Sequence, residues 1–390
     1  MKSSALKKIS VLLLSLILIS AVIILQSVPI ISAAATKKYT IKSTTLQAGK
    51  QFTLTNMPYN GVNSIIKTYK GKDLTVRTIQ NFDYSPDGKY IFTIGECGTD
   101  STKHGLLTRC AMPSKTGPNA EAESIDAMVL ESFGHSDTIA ITQDDLSKQV
   151  YNIWVSCNPG ATGHGRQIAR LTYKVDKSGV GKITKVVYIK GLEKTNVTSG
   201  KAGYYTNKVT PELVHCAIDA DSNQIVFRVY ASGLGTYYLS YNLENINSAM
   251  NSAKDKSSFD ISAKPKWQNA RIVCNLTPLC NYQSFTVKGK SIYIIGGHFG
   301  LGAQIYVFGY TTQKNGNIKE QTIANTSALS AIININSVIK VDDAEYDENY
   351  LEIQGLKVTK ENKKTYFHIN YHCAGPSMHN SAMVFKFTNK

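Results

Sequence analysis

Helix signals are almost missing from these 390 residues. Only Leu243 to Lys254 has the makings of a short helix, and a loop reads equally well there. The seven cysteines include no C-x-x-C pair, which argues against a structural zinc site or a thioredoxin-type motif. Their odd number leaves at least one free thiol or an intermolecular bridge. Spacing allows Cys97 with Cys110 and Cys274 with Cys280, while Cys216 and Cys373 fall in strand-like runs and read as small buried hydrophobes. No H-E-x-x-H, EF-hand loop or serine nucleophile elbow occurs. Arginine-rich arms and basic helices are missing too, which excludes the usual nucleic-acid-binding modules.

What is present begins at the N-terminus. Lys2, Lys7 and Lys8 precede an apolar run from Val11 to Leu25, and Ile31-Ser-Ala-Ala-Ala35 follows. This is the order of a secretory signal peptide, residues 1–35; an uncleaved anchor is the competing reading, because the run is long. No second stretch approaches bilayer length, so residues 36–390 read as a single exported, soluble domain. Lys and Arg number 43 against 28 Asp and Glu, a net charge of +15 that falls to +12 once the leader is removed. Outside a cell such a charge points to teichoic acid, anionic head groups or acidic glycans, although scattered lysines also keep a β-rich surface soluble.

Beyond the leader, short runs of Ile, Val, Tyr, Phe and Thr alternate with Gly, Asn, Asp and Ser, the pattern of an all-β protein. Gln80 to Gly95 shows the unit most clearly: a strand, a Ser-Pro-Asp-Gly turn, and a returning strand with Tyr90, Phe92 and Ile94 on one face. Similar hairpins begin near His135, His215, Gln283 and Glu352, each followed by a third strand. A long-period β repeat implies sheets arranged radially, since one small sheet cannot bury both its faces. The expectation is a five-bladed β-propeller in which residues 37–77 supply outer, closing strands; two packed sandwiches are the alternative.

Each hairpin opens with a polar residue: Gln80, His135, His215, Gln283 and Glu352. In a propeller these positions would ring the central channel. They could form a hydrated plug, a ligand site at the channel mouth, or a metal site built from His135, His215 and Glu352. Glycoside hydrolysis needs a second carboxylate beside Glu352. Asp83 lies on the opposite strand face from Gln80, whereas Asp137 shares the face of His135. His368 and His372, four apart on a strand, read as a surface pair. The glycine runs 160–165 and 296–302 lead into strands and not helices, so the anion-binding logic of a phosphate loop fails in both. Trp154 reads as core and Trp267 as exposed.

Three stretches carry a resemblance: Phe133-Gly-His-Ser-Asp-Thr138, Tyr151-Asn-Ile-Trp-Val-Ser156 leading into Gly165-Arg-Gln-Ile-Ala-Arg170, and Leu213-Val-His-Cys-Ala217 with Tyr241-Asn-Leu-Glu-Asn-Ile-Asn247. Together, and in the same order over about 80–389, they resemble the helveticin J family, large heat-labile bacteriocins of Gram-positive bacteria. The chain departs from that pattern in its leader, in the segment Lys37 to Arg77, and at Ala217, where an acid is expected. The resemblance implies the same five channel residues and a secreted antibacterial protein acting on the envelope of related bacteria. The expected activity is non-enzymatic binding of an envelope polyanion or glycan, without cofactor or nucleic acid. A lectin-like adhesin is the rival, and a wall-polysaccharide hydrolase the more distant one.

Overall fold

A computed structural model describes residues 37–41, 50–57, 68–73, 75–99, 102–198, 201–204, 210–276, 281–298, 302–313, 318–335, 339–341, 344–346, 351–373 and 381–388. The expected signal peptide, 1–35, lies outside them. Among the described residues the strands form three five-stranded sheets, one eight-stranded sheet and three two-stranded ribbons, with a single α-helix at Leu243–Ser252. The Asn242 side chain caps that helix by accepting from the Asn245 amide, and its Leu243, Ile246 and Met250 are buried. No described helix is long and apolar enough to cross a membrane.

Antiparallel meanders are the common unit. The first runs Thr75–Tyr84, Tyr90–Thr99, Thr102–Ala111 and Glu121–Leu130. Its opening hairpin turns at Ser85 to Gly88, where Gly88 takes φ 71° and donates to Ser85 O at 2.9 Å. The later meanders begin at the strands Ile139–Thr142, Pro211–Asp219, Tyr282–Lys288 and Leu351–Glu361. These inner strands touch in a closed cycle: 75–84 against 139–142, then 211–219, 282–288, 351–361, and back to 75–84.

Outer edges are covered by strands from elsewhere in the chain. Ser257–Asp260 pairs in parallel with Gly181–Lys190, and Gln321–Ile323 with Gln268–Cys274. Lys37–Ile41 does the same for Ala331–Ile335. Lys50–Thr55 runs antiparallel to Ser381–Thr388 and parallel to Glu121–Leu130, so it joins the last meander to the first within the eight-stranded sheet.

Apolar cores fill the spaces between successive meanders. Phe92, Tyr151 and Leu171 pack between the first and second; Trp154, Phe227 and Leu239 between the second and third. Tyr238, Phe285 and Tyr306 follow, then Tyr293, Leu356 and Phe385, and finally Phe52, Phe82 and Val384 across the shared strand. Each sheet is therefore covered on both faces, which suits Ile, Val and aromatic residues packing at crystal-like density. Three buried arginines sit on aromatic faces within these layers: Arg109 over Tyr90, Arg170 over Trp154 and Arg271 over Tyr237.

Polar bonds stitch the inner ends together. Asp83 accepts from Lys357 Nζ at 2.7 Å and from the Ile141 amide at 2.9 Å, tying three meanders at one carboxylate. Thr138 Oγ1 donates to Cys216 O at 2.7 Å, and Asp219 accepts from Lys288 Nζ at 2.8 Å. Asn81 Nδ2 reaches both Asp137 O at 3.1 Å and Ser284 Oγ at 2.9 Å, spanning the centre of the cycle.

Several expectations are corrected. Cys97 and Cys110 are both buried and free: in register Cys97 faces His104 and Cys110 faces Ile91, so neither faces the other. Burial pushes the Cys97 thiol up to about 12. Cys274 is free as well, and Cys280 lies outside the described residues. Trp154 is fully buried, but Trp267 is half-buried and stacked on Phe259 at 5.8 Å. His368 and His372 are buried, not a surface pair, because their strand lies inside the sheet between Leu351–Glu361 and Ser381–Thr388.

His368 sets a pH dependence. Its ring meets Tyr84 Oη at 3.1 Å and Thr359 Oγ1 at 3.0 Å, and burial, helped by Lys386, lowers it from 6.5 to about 4. Between those values the unfolded chain binds a proton that the folded one refuses, so stability present at neutral pH is lost as pH falls from about 6.5 toward 4. Denaturant unfolding at pH 7.5 and 4.5 should show a loss to which His368 contributes about 2.5 kcal/mol. The His368→Gln variant should lose correspondingly less; an equal loss would contradict the assignment.

Candidate functional site

Register shifts interrupt the inner strands near the centre, at Gln80, Glu212, Gln283 and Gln354. An extra residue there re-aims side chains without ending the strand. Gln80 and Gln283, each sitting at such a shift, line a cavity of about 280 Å³ together with His135 and His215. Asp137, His164, Leu213, Arg228, Tyr230 and Tyr282 complete the lining. Glu352 stands beside this group: Gln283 Nε2 donates to its Oε1 at 3.4 Å, and His298 Nε2 lies 3.7 Å from the same oxygen.

His135 does not begin a strand. It lies in a turn ahead of Ile139–Thr142, between Gly134 at φ 67° and Ser136 at φ 56°. That turn is fastened to the hairpin loop between Val150–Pro159 and Gly165–Val175. The His135 amide donates to Gly163 O at 2.9 Å, and the Asn158 amide to Ser132 O at 3.1 Å. A Cβ on Gly134 would stand 2.3 Å from Gly163 O and 2.6 Å from Pro159 Cβ, so only glycine lets the two loops meet. Their meeting brings His164 against Asp137.

Asp137 is the hub. Its carboxylate is buried and contacts His135 Nδ1, His164 Nδ1 at 2.8 Å and His215 Nε2 at 3.3 Å. Burial by itself would raise this carboxyl, but the bonds from His135, His164 and His215 outweigh it and hold it well below the carboxylate range. His215 is lowered, by burial first and by the Arg228 charge, against the pull of Asp137, so it is neutral near pH 7. Its Nδ1 meets Tyr282 Oη at 2.8 Å. Neutrality makes that nitrogen the acceptor and Nε2–H the donor to Asp137.

Arg228 lies directly opposite His215 on the neighbouring strand and therefore shares its face. The guanidinium stacks on Tyr282 at 3.9 Å, while its buried Nε and Nη1 have no hydrogen-bond partner. Glu352 behaves oppositely to Asp137: burial raises its carboxyl despite His298 and Gln283. The cavity wall thus carries amides, imidazoles and a guanidinium with spare donors, next to one carboxyl held ionised and one pushed toward its neutral form.

Neither a known family model nor a curated protein sequence matches this chain. Solved structures show some similarity to it. A tail fibre of a Staphylococcus aureus phage is similar over 89% of this chain and 54% of its own, with TM-score 0.50 at 12% identity. The chain thus spans about half the length of that fibre. An exo-β-1,3-galactanase from Phanerochaete chrysosporium is similar over 83% of this chain and 62% of its own (TM-score 0.37, 8% identity). An exo-1,5-α-L-arabinanase from a bovine ruminal metagenomic library aligns over 82% of this chain and 96% of its own (TM-score 0.35, 11% identity). At 12% identity the likeness to the fibre concerns the fold alone, and no residue's role is carried across from any of the three.

Of the five residues taken from the repeat, Gln80, His135, His215 and Gln283 share the cavity, and Glu352 adjoins it through Gln283. The trio His135, His215 and Glu352 is not assembled as a metal site; the donors that gather are His135, Asp137 and His164. His164, Arg228 and Tyr282 were not read from the sequence. Arg228 left a signal, a lone charge in the apolar run Ile225 to Val229. His164 was hidden in a glycine loop judged only as a phosphate binder.

Gly134→Ala should destabilise the protein by roughly 1–3 kcal/mol, because it adds both a left-handed-region penalty and a backbone clash. Gly117→Ala, at a position with open space around it, should change melting by less than about 0.5 kcal/mol. Equal effects in thermal melts would refute the role given to this loop contact.

Proposed function

We propose that this chain is an exported five-bladed propeller that binds an anionic glycan or polymer of the Gram-positive cell envelope, without chemical turnover, to an antibacterial end. The blade count rests on the closed cycle of inner strands and the cores between successive meanders. The antibacterial part rests on the helveticin J resemblance, and export on the leader sequence. The observation that carries the binding reading is Arg228, a cavity-lining guanidinium stacked on Tyr282 whose buried Nε and Nη1 have no hydrogen-bond partner, beside amides, imidazoles, tyrosines and the Asp137 carboxylate. A carboxylate or phosphate oxygen of the ligand would satisfy those donors, and the amides of Gln80 and Gln283 suit sugar hydroxyls. The net charge, +12 once the expected leader is removed from the +15 of the full chain, would draw an anionic polymer to the surface.

Purified protein should bind Gram-positive cell walls, less so at high salt or once teichoic acid is stripped. Arg228→Ala should weaken binding at least tenfold, the equivalent of about 1.5–3 kcal/mol for a hydrogen bond to a charged group. Inhibition zones on indicator lawns should shrink in parallel. Salt-insensitive binding that ignores Arg228→Ala would overturn the reading.

One observation favours a second reading, hydrolysis of a wall polysaccharide. Asp137 and Glu352 are pushed in opposite directions, the pattern of a base and an acid. Release of reducing sugar from walls, abolished by Glu352→Gln, is the expected result on that reading; no release from a range of walls removes it.

A further inference from the structure

Asp137 and its histidines admit more than a hydrogen-bonded cluster. The ligand atoms of His135, Asp137 and His164 all lie within 4.8 Å of one another. A tetrahedral ion with bonds of about 2 Å spaces its donors about 3.3 Å apart. The His164 Nδ1 to Asp137 Oδ2 distance of 2.8 Å would need to open by about half an ångström to admit one, and the closer His135 Nδ1 contact with Asp137 by more.

The surrounding protons decide between a cluster with and without an ion. If His135 Nδ1–H donates to Asp137 and the ring is neutral, its Nε2 lone pair faces the buried carboxylate of Glu96, with 3.4 Å between Nε2 and Oε2. Two acceptors then oppose each other, the carboxylate buried and the imidazole 26% exposed. If Nδ1 instead gives its lone pair to a cation, the proton must sit on Nε2 and points at Glu96, the carboxylate–histidine–metal arrangement. His215 fits the same scheme from the other side: it donates Nε2–H to Asp137 and accepts from Tyr282, so it orients the carboxylate and leaves the first shell to the other three.

We propose that His135 Nδ1, His164 Nδ1 and the Asp137 carboxylate hold one divalent transition ion of the zinc type, with Glu96 and His215 orienting the ligands. Two imidazoles with one carboxylate favour zinc, cobalt or nickel over calcium and magnesium, which take oxygen shells. Three protein donors leave at least one coordination position, and the cavity lined by His135, Asp137 and His164 is where a ligand oxygen would reach it. His164 is 38% exposed, which provides an entry path. The site is independent of the glycan reading and stands or falls without it.

The test is titration of chelator-treated full-length protein with Co²⁺ and Zn²⁺. One Co²⁺ per chain is expected, with the intense visible absorption of a four- or five-coordinate ion, displaced by Zn²⁺ and indifferent to excess Mg²⁺ and Ca²⁺. His164→Ala should abolish the absorption and weaken affinity at least a hundredfold, and Glu96→Gln should weaken it by about 10–100-fold. His164 is on a loop between two strands, so its variant should fold with a modest loss of stability from the missing Asp137 contact, and it decides the matter even if Asp137→Asn does not fold. Absence of saturable Co²⁺ binding by the parent would overturn the proposal. Undiminished binding by His164→Ala, or preference for Ca²⁺, would overturn it equally.

Discussion

A meander of four short strands has two apolar faces and can bury neither by itself. In this protein each face is buried by the next meander, which postpones the difficulty until the last one has to meet the first. Lys50–Thr55 resolves it, because it hydrogen-bonds to Ser381–Thr388 on one side and to Glu121–Leu130 on the other. Covalent chain order thus clamps the cycle: a strand from near the start lies between the end and the first meander. Phe52 and Leu54 add an apolar layer to that clamp. Weakening this contact would expose a face of two meanders at once, and each of the other layers depends on it.

Closure also concentrates polar groups. Inner strands converge, so their bulge residues and turns meet at the centre with little water, where an unpaired group costs about 1–3 kcal/mol. Asn81 spans the centre at one level by joining Asp137 O and Ser284 Oγ. Next to it, Gln80 and Gln283 line the cavity, Gln283 with its Nε2 on Gly297 O and Glu352. The same demand for satisfaction gives Asp83 its lysine and amide, Asp219 its lysine, and Asp137 its three imidazoles. Asp137 differs from the other two in facing a cavity, which is why its surroundings carry chemical interest and theirs carry structure.

The positions that could be read in advance are those repeated at the same point of each unit. Gln80, His135, His215 and Gln283 belong to that set, and the cavity unites them. Positions supplied by neighbouring strands or loops escaped. Arg228 sits one strand outward from His215 and becomes part of the site only through cross-strand pairing. His164 arrives on a loop, held by Gly134 lying against Gly163 and Pro159. Register decided other matters as well. Cys97 and Cys110 are on adjacent strands yet face different partners, and His368 and His372 share a face that turned out to be interior.

Composition and periodicity alone determined that the chain is β-structured, that its hairpins recur, and which turn residues close the first hairpin, because local propensity and alternation need no distant partner; the helix at Leu243–Ser252 was left open between helix and loop. The tertiary structure alone decided the cyclic order of the inner strands, the shared closing strand, and the meeting of His135, Asp137, His164, His215 and Arg228. Those depend on contacts between residues far apart in the chain, whose pairing is selected by burial and hydrogen-bond satisfaction of the whole and leaves no periodic mark on the sequence.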